Sequence, residues 1–245
     1  MDIYGINAVL EALRTGGVRD LRVSDKGGAR LAEVLDAASV RGIPVRRVPS
    51  AQLERAARGG VHQGVVATIE APAAVGVLDL VRGASGAPLL VVLDGVEDPH
   101  NVGAILRTVD ASGGDGVIRQ SRRAAPLGGA AAKASAGAVS HVRVAEVVNI
   151  ARALEELKDA GVWTVGLAGD ATTPYDRIDL TMPTAIVVGA EGTGLRRLVR
   201  ERCDWLVSIP MRGHVDSLNV SVATGVALFE AVRQRRAADD RRHER

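Results

Sequence analysis

Apolar and polar residues alternate in short blocks along the first 70 residues. Helical spacing of the apolar residues predicts three helices, at Gly5 to Leu13, Ala29 to Arg41 and Gln52 to Arg58. Short apolar runs between them predict three strands, at Leu21 to Val23, Val45 to Val48 and Val65 to Ile69. This alternation predicts a small α/β/α domain over residues 1–70. Residues 71–87 are rich in Ala, Gly and Pro, which predicts a linker with at most one short helix.

The pattern changes after the linker, where the strands become continuously apolar. Such runs predict strands at Leu89 to Leu93, Gly116 to Ile118, Val142 to Val144, Val162 to Leu167, Ala185 to Val188 and Leu206 to Ile209. Strands apolar on both faces, with helices between them, are typical of a mostly parallel sheet covered on both sides. We therefore predict an α/β domain over residues 88–237 and a charged tail over residues 238–245.

The last predicted helix begins at Ser217 and ends near Arg236. Its large apolar residues recur at helical spacing, which predicts a single stripe that packs on the domain. The stripe consists of Leu218, Val222, Val226, Phe229 and Val232.

Composition excludes several classes of protein. With 47% hydrophobic residues, the 245-residue chain can bury one large core or two smaller ones. No apolar run is long enough to span a bilayer, and the first residues lack the pattern of an export signal, so we expect a cytoplasmic protein without a membrane partner. Cys203 is the single cysteine, which excludes an internal disulfide framework and a cysteine-rich zinc site. The five histidines lack metal-ligand spacing, so no metal is predicted.

The net charge of +2 is too small to identify a nucleic-acid-binding protein by itself. Its distribution is more informative, because residues 117–145 carry five cations and no acidic residue: Arg119, Arg122, Arg123, Lys133 and Arg143. These side chains could contact a phosphate backbone, or they could form a solvated loop. With only five aromatic residues in the chain, a base-stacking platform is not expected.

Polar residues follow the predicted strands at three places. The segments are DGVEDPHNVGAILRTVD from Asp94, GAEGTGLR from Gly189 and IPMRGHVDSLNVSV from Ile209. Ligands of α/β proteins bind beyond the carboxyl ends of parallel strands, so the three segments together predict an enzyme site. GAEGTGLR matches neither a P-loop nor a Rossmann turn. Its glycines indicate either tight turns or close approach to a ligand, and the buried strand before them favours the ligand.

Taken singly, the polar residues of these segments leave alternatives open. Asn101, Ser217 and Asn219 could simply cap helices, and Glu191 could cap a helix or bind a ligand. Arg107 lies in an otherwise apolar helix, where it could face a site or form a buried ion pair with Asp110. No nucleophile paired with a base is visible.

Three segments, in order along the chain, resemble known motifs. NVGAILRT, VVGAEGTGL and IPMRGHVDSLNVSVATGVALFEAV are similar to the three motifs of the SpoU-type (TrmH-like) RNA 2′-O-ribose methyltransferases of the SPOUT superfamily. The opening YGINAVLEAL and the DPHN form of the first motif resemble the subgroup that methylates a guanosine ribose in 23S rRNA. The likeness extends over nearly the whole chain.

The resemblance implies a fold and a reaction. The N-terminal domain would resemble ribosomal protein L30e and bind RNA, and the C-terminal SPOUT domain would contain a deep trefoil knot. The reaction would be S-adenosylmethionine-dependent methyl transfer to a ribose 2′-hydroxyl of 23S rRNA, carried out by a homodimer in which both subunits build each active site.

The resemblance also assigns residues. It places the cofactor against Gly169, Gly189, Ile209, Met211 and Leu218, with Gly189 leaving room for the ligand. Arg107 matches the family's catalytic arginine, which we expect to grip phosphate or hydroxyl because a guanidinium remains protonated. The remaining polar motif positions would orient the nucleotide and Arg107; these are Asn101, Glu191, Ser217 and Asn219.

Other functions remain open at this level. The same chemistry could act on tRNA or on a nucleotide of 23S rRNA at an antibiotic site. A non-catalytic RNA-binding protein that assists ribosome assembly is an alternative of a different class, although the polar motif positions are all present. A nicotinamide-dependent dehydrogenase is disfavoured by the glycine spacing.

Overall fold

Two separate β-sheets organise the computed structural model, which describes residues 1–25, 29–70, 74–122 and 124–243. The first compact unit comprises Met1–Ala73, Asp98–Arg107 and Ala125–His141. The second comprises Ala74–Glu97, Thr108–Ala124 and Val142–Arg245. Residues 71–73 of the predicted linker, Arg123 of the basic stretch and residues 244–245 of the tail lie outside the described residues.

The sheet of the first unit has four strands in the order β1-β4-β2-β3. Its strands are β1 (Asp2–Tyr4), β2 (Val18–Ser24), β3 (Val45–Val48) and β4 (Val65–Ile69). β2 and β3 are parallel, whereas β4 is antiparallel to both of its neighbours. The sequence pattern did not predict β1, because three residues are too few to show an alternation of apolar and polar positions.

The helices of the first unit lie close to their predicted positions. They are α1 (Ile6–Thr15), α2 (Ala29–Val40) and α3 (Ser50–Ala57). α1 buries Ile6, Val9, Leu10 and Leu13, as its helical spacing predicts, and ends at Gly16 in the left-handed conformation that glycine adopts readily. A helix distant in sequence, α6 (Gly129–Ala134), also belongs to this unit.

The sheet of the second unit has seven strands in the order β7-β6-β5-β10-β8-β11-β9. Its strands are β5 (Leu89–Asp94), β6 (Gly116–Gln120), β7 (Val144–Val147), β8 (Trp163–Leu167), β9 (Thr173–Pro174), β10 (Thr184–Gly189) and β11 (Trp205–Ser208). Every strand pairing that the structure describes in this sheet is parallel. All six residues of β5 are buried, as expected for a strand covered on both faces. The prediction of an α/β fold with a mostly parallel sheet is therefore confirmed.

Helices cover this parallel sheet. They are α4 (Val77–Arg82), α7 (Ile150–Asp159), α8 (Arg197–Arg202) and α9 (Val220–His243), whereas α5 (Pro99–Ser112) is divided between the two units. Ile150, Leu154 and Leu157 of α7 join a core cluster with Leu90 of β5 and Val187 of β10. No helix in the described ranges is both long and apolar enough to cross a membrane.

The last helix differs from its prediction in both its ends and its buried face. α9 begins at Val220, three residues after the expected start, and continues to His243. The buried side chains on it are Val220, Thr224, Ala227, Leu228, Glu230 and Ala231. The predicted stripe is wrong for Val222 and Phe229, which are 51% and 49% exposed. The buried face therefore combines Leu228 with small side chains such as Ala227 and Ala231, and it excludes Phe229.

Candidate active site

A cavity of about 710 Å³ lies beyond the carboxyl ends of β8, β10 and β11 in the second unit. Most of its wall comes from the loops that follow these three strands. The lining consists of residues 167–170, residues 188–195, Arg200 of α8, Val207, Ile209, Met211, residues 216–220 and Ala223. Because the strands are parallel, their carboxyl ends share one edge of the sheet, and the loops that follow them converge there.

The five residues predicted to bind a cofactor all line this one cavity. They are Gly169, Gly189, Ile209, Met211 and Leu218. Three of the predicted catalytic residues line it as well, namely Glu191, Ser217 and Asn219. The fold thus brings together eight residues that were assigned by resemblance alone, and their roles stay predictions.

Gly189 is required by the protein's own backbone. A Cβ atom added there would lie 2.1 Å from the carbonyl carbon of Gly194 and 2.3 Å from the amide nitrogen of Leu195. The protein's own loop, which turns back through a bridge between Ala190 and Gly194, therefore fills the space beside Gly189. This backbone alone is enough to require glycine at position 189, and the further role of leaving room for a ligand stays a prediction.

Glu191 and Asn219 join two walls of the cavity. The side-chain amide of Asn219 donates a hydrogen bond of 2.6 Å to Oε1 of Glu191. The Oδ1 atom of Asn219 accepts from the backbone N–H of Ser221 at 2.9 Å and from its hydroxyl at 2.5 Å. Asn219 therefore caps α9, as one of its two interpretations expected, and ties the helix to the loop after β10. Its role in orienting the nucleotide stays a prediction. Ser217 lies three residues before the first residue of α9, so it is not the cap.

An ion pair that the sequence analysis missed stands in the cavity wall. The two guanidinium nitrogens of Arg200 donate to the two carboxylate oxygens of Asp170 at 2.8 and 3.0 Å. This hydrogen bonding by Arg200 lowers the pKa of Asp170 from its ordinary value, and burial opposes that shift. The two residues are separated by 30 positions in sequence, so no local pattern could have indicated the pair.

A buried carboxylate supports the loop that carries Glu191. Asp94, at the end of β5, is fully buried and accepts from the backbone N–H of Arg196 at 2.8 Å and from its Nε at 2.7 Å. The same guanidinium contacts Asp94 through a second nitrogen as an ion pair. This arrangement fixes the end of the loop to an interior strand of the sheet.

The two other predicted catalytic residues, Asn101 and Arg107, lie in α5 and are assigned to the first unit. Asn101 is buried inside the helix and is not its cap. Asp98 has that role instead, since its carboxylate accepts from the N–H of His100 at 2.9 Å. Arg107 and Asp110 are both exposed, so the alternative of a buried ion pair between them is wrong.

Most cations of the basic stretch at residues 117–145 bind other groups of the protein, which neither interpretation expected. Arg119 is buried and pairs with Glu146 at 2.8 Å on the neighbouring strand. Arg143 donates to the carbonyl oxygen of Asp79 at 2.9 Å. Lys133, in the first unit, donates to the carbonyl oxygen of Val61 at 3.1 Å. Three of the five cations therefore stabilise the fold through named partners.

The single cysteine, Cys203, is partly buried and packs against the core of the second unit. Burial, followed by the charges of Asp204 and Asp94, raises the pKa of the Cys203 thiol to about 12. A thiol held neutral in this way is a poor nucleophile. Among the described residues, no group of three or more His, Cys, Asp or Glu side chains could hold a metal ion.

Comparison with known proteins agrees with this architecture. The family model described as "SpoU rRNA Methylase family" matches residues 88–229, and the model described as "RNA 2′-O ribose methyltransferase substrate binding" matches residues 3–75. The chain is 46% identical over 238 residues to the 23S rRNA (guanosine-2′-O-)-methyltransferase RlmB of Photobacterium profundum, with 95% of this chain and 97% of the relative covered. It is 45% identical over 241 residues to the RlmB protein of Pseudomonas syringae pv. tomato, with 96% of each covered.

Solved structures show the same relationship. The SpoU methyltransferase AviRb from Streptomyces viridochromogenes, in complex with AdoMet, matches with a TM-score of 0.80 and 29% identity, over 97% of this chain and 91% of that one. An AdoMet-bound rRNA methyltransferase from Sinorhizobium meliloti matches with a TM-score of 0.76 and 28% identity, over 95% and 86%. The chain belongs to the SpoU rRNA methylase family.

Proposed function

We propose that this protein transfers a methyl group from S-adenosylmethionine to the ribose 2′-hydroxyl of a guanosine in 23S rRNA. The observation that carries the proposal is the cavity at the carboxyl ends of β8, β10 and β11, in a chain of this family whose relatives are named for that reaction. A volume of about 710 Å³ is within the usual range for a small-molecule site.

The lining of the cavity suits the methyl donor. Three carboxylates, Asp170, Glu191 and Asp216, and one guanidinium, Arg200, stand among the lining residues. S-adenosylmethionine carries a sulfonium, an ammonium and a carboxylate, so its net positive charge complements this surplus of negative charge. The predicted cofactor-binding residues offer mainly backbone groups and apolar surface, which would hold the adenosine part.

The bound cofactor would supply an electrophilic methyl group, and the protein's own residues would prepare the attacking hydroxyl. A ribose hydroxyl is a weak acid, so the site must position its oxygen and favour the charge that develops as the proton leaves. We assign the exposed guanidinium of Arg107 to grip the hydroxyl or the adjacent phosphate. Asn101, Glu191, Ser217 and Asn219 would orient the nucleotide and that arginine.

The domain organisation follows from the same assignment. We assign residues 1–70 to an L30e-like domain that binds the RNA substrate, residues 71–87 to a linker, residues 88–237 to the catalytic domain with its trefoil knot, and residues 238–245 to a charged tail. The substrate-binding model that matches residues 3–75 supports the first of these. An rRNA substrate also implies that the protein works in the cytoplasm.

We further propose that the protein is a homodimer. Val222 and Phe229 lie two helical turns apart on α9, and each leaves about half of its side chain exposed. Apolar side chains exposed along one helix face are typical of a subunit interface. Light scattering should report a dimer for the native protein and a monomer after Val222→Glu with Phe229→Glu. Replacing the exposed Arg236 by Glu on the same helix should leave the dimer intact.

The function is tested by incubating the protein with methyl-labelled S-adenosylmethionine and, separately, unmodified 23S rRNA or total tRNA. We expect label in 23S rRNA, on a ribose, at a guanosine. Label in tRNA alone would keep the chemistry and overturn the substrate. Absence of S-adenosylmethionine binding would overturn the enzyme assignment altogether.

A further inference from the structure

The charges of the cavity are distributed unevenly, and one position stands out. Among the described residues that line it, Arg200 is the one cation, whereas Asp170, Glu191 and Asp216 are acids. A ligand that brings a single carboxylate into this cavity would therefore meet one complementary group. The wall at Arg200 and Asp170 is also the place where both signs of charge occur side by side.

The Arg200–Asp170 pair is open to a ligand. The side chain of Asp170 is 71% exposed and that of Arg200 is 37% exposed. Hydrogen bonds at 2.8 and 3.0 Å use two of the five N–H groups of the guanidinium, so three N–H groups are left to donate elsewhere. Exposed ion pairs contribute little to stability, so a ligand can adjust this pair without a large penalty.

The chemistry of this pair matches an α-amino acid end. A planar guanidinium binds a carboxylate through two parallel hydrogen bonds, and a carboxylate accepts hydrogen bonds from an ammonium group. A zwitterion placed against an Arg–Asp pair therefore finds a partner for each of its charges.

We propose that Arg200 binds the α-carboxylate of S-adenosylmethionine and that Asp170 holds Arg200 in place and accepts from the α-ammonium group. The pair makes the cavity specific for ligands that carry the complete amino acid end. This assignment rests on the proposed function, since it names a contact to the proposed methyl donor.

Calorimetric binding of three probes tests the assignment without any turnover. S-adenosylhomocysteine carries both charged groups, decarboxylated S-adenosylmethionine lacks the carboxylate, and 5′-methylthioadenosine lacks the whole amino acid end. We expect Arg200→Ala to weaken the binding of S-adenosylhomocysteine about tenfold or more. The same variant should change the affinity for the other two probes by less than about twofold.

Two further variants separate the roles of the two residues. Asp170→Asn should weaken the binding of decarboxylated S-adenosylmethionine, because the carboxylate of Asp170 would accept from its ammonium group. The affinity for 5′-methylthioadenosine should stay unchanged. Arg197→Ala is the matched control, because Arg197 is an exposed arginine of the same helix that pairs with Glu201 at 2.7 Å and does not line the cavity. It should change none of the three affinities.

The outcomes distinguish this proposal from the function on which it rests. Equal weakening of all three probes by Arg200→Ala would mean that the pair only supports the fold and would overturn the proposal. Unchanged binding of S-adenosylhomocysteine would overturn it too, with the proposed function intact. Native protein that binds none of the probes would remove the proposed function and this assignment together.

Discussion

The fully buried carboxylate of Asp94 receives both the backbone N–H and the side chain of Arg196. Asp94 ends β5, an interior strand of the sheet, and Arg196 ends the loop that carries Glu191 and two glycines. The carboxylate is thus compensated by a guanidinium whose side chain is 53% exposed, so one end of the pair remains in contact with water. A buried charge with this many hydrogen bonds is a firm attachment for an otherwise exposed loop.

Replacing Asp94 by Ala should destabilise the protein by about 2 kcal/mol, because the backbone N–H and the guanidinium lose their acceptor. The loss should stay below that of a fully buried pair, since water can solvate Arg196. Urea unfolding measures the effect. Glu201→Ala is the control, because it breaks an exposed ion pair with Arg197 and should change the free energy of unfolding by at most about 0.5 kcal/mol. Equal effects of the two variants would contradict the role given to Asp94.

Substitution by alanine should have different effects at two glycines of the cavity wall. Gly189→Ala places a Cβ 2.1 Å from the backbone of Gly194, which should destabilise the protein by roughly 3 kcal/mol or more and lower its melting temperature by roughly 10 °C. Gly169→Ala meets nothing within 4 Å, so the melting temperature should stay within about 2 °C. Its added methyl group should instead weaken the binding of S-adenosylhomocysteine in the cavity that Gly169 lines. A Gly189→Ala protein as stable as the native one would show that the loop simply moves aside.

The sequence predicted the parallel sheet well, because continuous apolar runs such as Leu89 to Leu93 indicate strands buried on both faces. It failed where the deciding contact is distant along the chain. Gly189 is required by Gly194 and Leu195 folding back onto it, and Asp170 finds Arg200 across 30 positions. Neither contact leaves a local pattern of apolar and polar residues.

The last helix shows a second reason for failure. Its prediction relied on large side chains, yet the small residues Thr224, Ala227 and Ala231 are buried beside Leu228. The large side chains of Val222 and Phe229 are exposed. Small residues allow a helix to approach a sheet closely, and their weak hydrophobicity hides that face in the sequence. The residues of the site were assigned by resemblance. The chemistry of the five predicted cofactor-binding residues alone could not have assigned them to a cofactor, since two are glycines and three are apolar.

Asn219 has two tasks that two substitutions can separate. Asn219→Ala removes the cap of α9 and the contact to Glu191, which should destabilise the protein by about 1 kcal/mol and weaken S-adenosylhomocysteine. Asn219→Asp keeps an acceptor for the N–H of Ser221, so stability should change by less than about 0.5 kcal/mol. It places a carboxylate against Glu191, however, and calorimetry should still show weaker binding. Native affinity in Asn219→Asp would mean that the contact to Glu191 does not hold the cavity wall.

Cys203 should resist alkylation. Its pKa is raised to about 12, so at pH 9 only about one thiol in a thousand is ionised, whereas an ordinary cysteine would be largely ionised. Labelling with iodoacetamide at pH 9 should therefore be several hundredfold slower in the folded protein than in urea. The folded state also retains this proton where the unfolded state loses it, so the free energy of unfolding should fall as the pH rises above about 8.5. Equal labelling rates in the two states would contradict the burial of the thiol.

Arg107 provides the sharpest test of the reaction itself. Because its side chain is exposed on α5, Arg107→Ala should change the free energy of unfolding by no more than about 0.5 kcal/mol and leave the affinity for S-adenosylhomocysteine nearly unchanged. Methyl transfer to 23S rRNA should nevertheless fall at least about 100-fold, since the variant lacks the group that grips the hydroxyl or phosphate. Asp110→Ala, at an exposed position one turn further along the same helix, should methylate at close to the native rate. Near-native methylation by Arg107→Ala would refute the catalytic assignment, whereas a loss of cofactor binding would place Arg107 in the cofactor site instead.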